Sequence, residues 1–199
     1  VLLTFLSTAQ AHAQTQTRIR LATLLPRGSS QYHILEQMGQ QWRTLSGGEI
    51  NLTIYADGTL GSDDDTVRRM RIGQIQAATL SVGGLAEIDP SVSALQKIPM
   101  LYRSLEEVEF VRSRMHLELE RRLEQKGFVV LFWGDVGWVQ VFSRQPVLRP
   151  ADVLKTKVFV GASDQEETTI MKSIGFQVVP LEWSDVLTSL QTGLVDTVP

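Results

Sequence analysis

The feature that most restricts the fold is a switch of hydrophobic period, made repeatedly along the first half of the chain. "RIRLATL" (Arg18 to Leu24) and "INLTIYA" (Ile50 to Ala56) alternate apolar and polar residues, as a half-buried strand does. Between them Ile34, Leu35, Met38, Trp42 and Leu45 recur at helical spacing, and Gly47-Gly48 stops the run. Ser62 then offers an N-cap, with Asp63, Asp64 and Asp65 in the first turn, where the helix dipole favours negative charge. "QIQAATLSV" (Gln74 to Val82) reads as a third strand. Strand, helix, strand, helix, strand is the order of an α/β domain with a largely parallel sheet.

Pro90 and Pro99 interrupt the next stretch. A long helix follows: Ser104 and Glu107 form a capping box, Val108, Val111, Met115, Leu119 and Leu123 make its apolar stripe, Glu118 and Arg122 stand four apart, and Gly127 closes it. "FVVLFW" (Phe128 to Trp133) is apolar throughout, which predicts a parallel strand covered on both faces. Beyond "SRQPVLRPADVLK" the pattern restarts. "KVFV" (Lys157 to Val160) predicts a strand, Ser163 and Glu166 a capping box, Gly175 a helix end, "FQVV" a strand, Ser184 to Gly193 a helix and "LVDTV" a last strand. With no element after that strand, the second α/β unit reads as C-terminally cut.

The N-terminus points to export. Val1 to Leu6 are mostly apolar, Ala11-His12-Ala13 has the small residues of a signal-peptidase site, and the stretch is too short for a transmembrane helix. Residues 1–13 are therefore expected to be a signal-peptide remnant and Gln14 the mature start, with a periplasmic location. Cysteine is absent, so neither a disulfide framework nor a thiol nucleophile is available. A net charge of −3, with acids and bases interspersed, offers no basic patch for nucleic acid.

Catalytic and metal-binding patterns are also missing. His33 and His116 have no partner at ligand spacing. Asp63 to Asp65 lack the rest of a calcium loop and read as a solvated helix start. "TLSVGG" has Thr79 where a G-x-S-x-G turn needs its first glycine, and no phosphate-cradling G-x-x-x-x-G-K is present. No cofactor is implied. Two α/β units joined by an extended segment, exported and without catalytic equipment, describe a clamshell receptor that closes on a ligand between its lobes.

The stretches "RPADVLKTKVFV" and "LQTGLVD", set within "ALQKIPMLYRSLEEVEF" and the sequence that follows it, resemble the DctP-type solute-binding proteins of tripartite ATP-independent periplasmic (TRAP) transporters. The likeness runs from about Arg18 to the end. It implies a two-lobe α/β periplasmic binding protein of the type II kind, with residues 18–142 as first lobe and crossing segment and 143–199 as part of the second. It further implies a receptor that is not an enzyme, and that hands a small organic solute to the membrane permease subunits of a TRAP transporter.

On that resemblance the cleft is expected to be lined by Leu25, Ser81, Val82, Trp133, Trp138, Val139, Phe159, Asp164 and Asp196. In "LFWGDVGWVQVF" the two tryptophans would border the cleft, Trp133 being equally suited to core, with Gly134 and Gly137 turning the backbone between them. Related receptors hold organic acids through arginines whose places fall here on Val139 and Phe159. A carboxylate beside Phe159 would be desolvated and unpaired. The expected ligand is therefore apolar, neutral or zwitterionic, with Asp164 either meeting a cationic group or simply serving as a first-turn acid. The alternatives are an organic acid held by a relocated arginine, Arg27 or Arg103, and an exported enzyme on a similar two-lobe fold.

Overall fold

The first sheet is parallel and three-stranded, in the order β2-β1-β3, as the repeated period switch requires. The computed structural model describes residues 16–95, 98 and 101–199; the expected signal remnant lies outside them. In chain order the first unit contains β1 (Thr17–Thr23), α1 (Ser30–Leu45), β2 (Ile50–Tyr55), α2 (Asp63–Arg71), β3 (Ala77–Thr79), α3 (Val82–Ala86) and, after a 3-10 turn at Pro90–Leu95, α4 (Leu105–Gln125). β1 pairs with β2 from Thr17↔Ile50 to Ala22↔Tyr55, and with β3 from Leu21↔Ala77 to Thr23↔Thr79.

The third strand is shorter than the predicted Gln74–Val82, and at its C-terminal end a bond from α2 sets the limit. Asp63 Oδ2 accepts from the Ser81 N–H at 3.0 Å, and Ser81 Oγ accepts from the Gly84 N–H at 3.2 Å. These bonds take Ser81 out of the ladder and make it the N-cap of α3. They also correct the expectation of a solvated start at Asp63 to Asp65 at its first residue: Asp63 is 2% exposed, while Asp64 is exposed as expected.

α4 follows its prediction closely. Ser104 Oγ accepts from the Glu107 N–H at 3.3 Å, while Glu107 Oε2 accepts from the N–H of Arg103, one residue before the cap. Glu118 pairs with Arg122 as expected and with Arg121 as well, each at 2.7 Å. The two arginines hold its carboxyl down at about 2. Leu119 and Leu123 bury against Val67, Ile88 and Val92, and this cluster is the core of the first unit.

Phe128 to Trp133 departs from its prediction. Among the described residues the segment joins no ladder. Phe128, Val130 and Trp133 pack on the α4 core, while Val129, Leu131 and Phe132 face outward, Val129 being 74% exposed. A strand covered on both faces needs a neighbour on each, and among the described residues only the α4 side supplies one.

The chain then crosses to a second, four-stranded sheet in the order β4-β7-β5-β6. Its elements are β4 (Phe142–Ser143), α5 (Pro150–Val153), β5 (Lys157–Gly161), α6 (Gln165–Ser173), β6 (Gln177–Leu181), α7 (Val186–Thr192) and β7 (Thr197–Val198). β5 lies between two parallel neighbours, β6 and β7, and β4 closes the far edge antiparallel to β7. The cap of α6 is Asp164, one residue later than the predicted Ser163. Gly193 ends α7 at φ 75°, a left-handed position that glycine adopts without strain.

Candidate functional site

An open cleft of about 3690 Å³ runs between the loops at the C-terminal ends of the first sheet, the crossing segment and the start of α6. A small-molecule site occupies roughly 300–1,000 Å³, so only part of this trough would hold one solute. Seven of the nine expected residues line it: Leu25, Ser81, Val82, Trp133, Trp138, Val139 and Asp164.

Leu25 follows β1, and its N–H donates to Thr23 Oγ1 at 3.1 Å, which turns the chain at the strand end. Ser81 and Val82 open α3 on the opposite loop. On the crossing segment the two tryptophans differ. Trp133 is tied to α4 through Nε1 to Glu120 Oε1 at 2.8 Å and packs on the first core, so it serves core and cleft wall together. Trp138 is 48% exposed and Val139 is 73% exposed, both toward the trough. Gly137, at φ 87°, makes the bend between the tryptophans; Gly134 has no left-handed backbone, so the turn needs one glycine and not two. Asp135 in the same bend lies 4.0 Å from Arg112 on α4.

Two expected residues are elsewhere. Phe159 is 1% exposed and packs edge-on against Trp183, their ring centroids 4.8 Å apart. It is core because β5 is flanked by strands on both sides and Trp183 covers its face. Asp196 precedes β7, where its Oδ2 accepts from the Lys157 N–H at 3.3 Å and its backbone bonds both Lys157 and Arg144. It is a strand-joining residue outside the cleft lining.

The charges lining the trough were only partly foreseen. Arg103 lines it. Arg112 also lines it, but its guanidinium is taken by Glu109 and approaches Asp135. Arg71 donates to the Glu87 carbonyl at 3.2 Å. Arg27, the other relocated candidate, is outside the lining and pairs at 3.3 Å with Asp57, which lines the trough. Asp63 and Asp164 approach the α3 loop from two sides. Burial pushes the Asp63 carboxyl above its usual range, against the pull of its bonds to Ser81 and Gly84. Burial, then the charges of Asp63 and Glu87, push Asp164 the same way. Among the described residues, no three His, Cys, Asp or Glu side chains converge to hold a metal ion.

Comparisons with known proteins agree with this architecture. The profile of the bacterial extracellular solute-binding proteins, family 7 (DctP), matches residues 21–198. The 2,3-diketo-L-gulonate-binding periplasmic protein of Escherichia coli strain K12 is 27% identical over 169 residues, covering 84% of this chain and 51% of that protein. Two solved TRAP periplasmic solute-binding proteins share the fold. One, from Sulfitobacter sp. NAS-14.1 with bound β-D-galacturonate, has a TM-score of 0.82 at 24% identity and covers 92% of this chain and 61% of that one. The other, from Pseudomonas putida F1 with bound D-glucuronate, has a TM-score of 0.80 at 23% identity over 92% and 60%. The chain thus spans about 59% or less of the curated relatives it matches first. The extracellular character of the family agrees with the expected export.

Proposed function

The chain belongs to the bacterial extracellular solute-binding proteins of family 7, the DctP family, and on that premise we propose that it is the solute receptor of a TRAP transporter, capturing a small organic acid for the membrane permease. The observation that carries the choice of an acid is the burial of Phe159. The case for an uncharged ligand rested on two apolar side chains standing where arginines would hold a carboxylate. Phe159 is inside the second core and outside the cleft lining, so it raises no desolvation penalty in the cleft. Only Val139 remains of that case, and one apolar wall residue is ordinary in a small-molecule site.

Arg103 is the residue we place against the carboxylate. It lines the trough, and among the described residues no carboxylate pairs with its guanidinium, whereas Arg112 and Arg27 are both engaged. A guanidinium suits a carboxylate because it donates two parallel hydrogen bonds. The acids held by relatives, 2,3-diketo-L-gulonate, galacturonate and glucuronate, make a sugar acid the first class to try. Trp138 offers an aromatic wall to the apolar face of such a ring.

Thermal unfolding of the full-length protein with D-galacturonate, D-glucuronate, D-galactose and D-glucose tests the reading. The two acids should raise the melting temperature and the two neutral sugars should not. A hydrogen bond to a charged group contributes about 1.5–3 kcal/mol, so Arg103→Ala should weaken acid binding roughly tenfold to a hundredfold. Stabilisation by the neutral sugars alone would restore the uncharged ligand. Acid binding unchanged in Arg103→Ala would move the anchor to another residue.

A further inference from the structure

Two consecutive glycines in α3 lie between carboxylates from the two lobes. A side chain built on Gly84 would run into the Asp63 carboxylate of α2, and one built on Gly83 would run into that of Asp164, at the head of α6 in the second unit. The same Asp164 carboxylate closes over Gly161 at the end of β5. The lobes therefore touch where α3 carries no side chain and an acid from each lobe is brought in. Asp63 has backbone partners there, since the Ser81 N–H donates to it at 3.0 Å. Asp164 has no side-chain capping bond in its own helix.

We propose that the Asp164–Gly83 contact is a proton-linked latch, in which bringing the second lobe onto α3 takes up a proton at the Asp63–Asp164 pair. With the lobes apart, Asp164 would be solvated and ionised near the ordinary carboxylate value of about 3.9. With the lobes in contact it is half-buried and faces Asp63 of α2 and Glu87 at the end of α3, with Glu167 beside it on α6. Arg71 engages the Glu87 backbone carbonyl. Desolvation and like charge both disfavour the ionised form of Asp164 in the contact. Burial, then the charges of Asp64 and Asp65 on α2, push the Glu182 carboxyl of the second unit up as well.

The sign follows from the raised value. Below the open-state pKa the group is protonated in both arrangements and the contact carries no penalty. As pH rises through the raised closed-state value, the ionised carboxylate must be desolvated to close, and the penalty becomes complete above it. Each unit by which the contact raises the pKa changes the closed-to-open ratio tenfold. This inference rests on the two-lobe reading of the cleft but not on the identity of the solute, so it is tested without ligand.

The sequence contains no cysteine, so spin labels can be placed on Gln41→Cys in α1 and Lys172→Cys in α6, both exposed, in the full-length protein. Between about pH 8 and about pH 4, a range that reaches the ordinary carboxylate value, the short-distance population should grow as pH falls. In Asp164→Asn it should already be larger at the high end and grow distinctly less as pH falls. Gly83→Ala, whose methyl group would displace the Asp164 carboxylate from the contact, should reduce the short-distance population. A pH response in Asp164→Asn equal to that of the unsubstituted protein, or none in the unsubstituted protein, would overturn the latch, whatever solute is found to bind.

Discussion

β5 and the segment Phe128 to Trp133 look alike on paper. Both are short, apolar and flanked by turn residues, and both are predicted as strands, the Phe128 run as one covered on both faces. β5 has a parallel strand on each side and holds Phe159, which is 1% exposed. The other run has α4 beneath it and, among the described residues, no strand beside it, and its outward side chains are exposed. An apolar run states a preference for burial; a neighbour has to satisfy it. The two regions also reverse their expected roles. The position predicted to meet ligand is core, and the run predicted to be core forms a wall of the cleft.

That contrast breaks most sharply at Phe159. Replacing it with arginine removes a buried aromatic and puts a charge among β5, β6 and Trp183, which should cost about 4 kcal/mol or more. Val129→Arg, on the exposed side of the other run, should stay within about 0.5 kcal/mol. Urea unfolding of both variants in the full-length protein measures the difference. Equal costs would mean that Val129 is covered in solution, and a cheap Phe159→Arg would mean that the side chain reaches the cleft after all.

A smaller effect separates the two tryptophans. Trp133→Phe loses the bond to Glu120 and some packing on the α4 core, a loss of about 1–2 kcal/mol. Trp138→Phe should leave the unfolding midpoint almost unchanged and remove the fluorescence response to solute, because its ring is half in solvent at the trough. A solute response that survives in Trp138→Phe and vanishes in Trp133→Phe would exchange their roles.

The smallest effect belongs to α4, the element on which prediction and structure agree best. Glu118 is held at about 2 by Arg121 and Arg122, so its contribution is present above the ordinary carboxylate range and is lost as pH falls toward about 2. Its exposure keeps that contribution small. Glu118→Gln should flatten the acid limb of the stability profile slightly and leave the neutral plateau alone. A large drop at neutral pH would show that the pair supports packing as well as charge.

The sequence alone determined the elements whose signals are local. Helical spacing and the Ser104 cap specify α4, alternation specifies β1 and β2, and the order of elements specifies a parallel first sheet. The family was legible from motifs spread over most of the chain. Tertiary structure decided what depends on residues far apart in sequence. Asp63 ends β3 by reaching Ser81, eighteen positions on. Trp183 covers Phe159, Glu120 fixes Trp133, and Asp164 finds Gly83 on the other lobe. Period and capping act within a turn or two of the backbone, so they can be read along the chain. Burial, strand pairing and the facing of charges arise only when distant segments meet, and the cleft is made of such meetings.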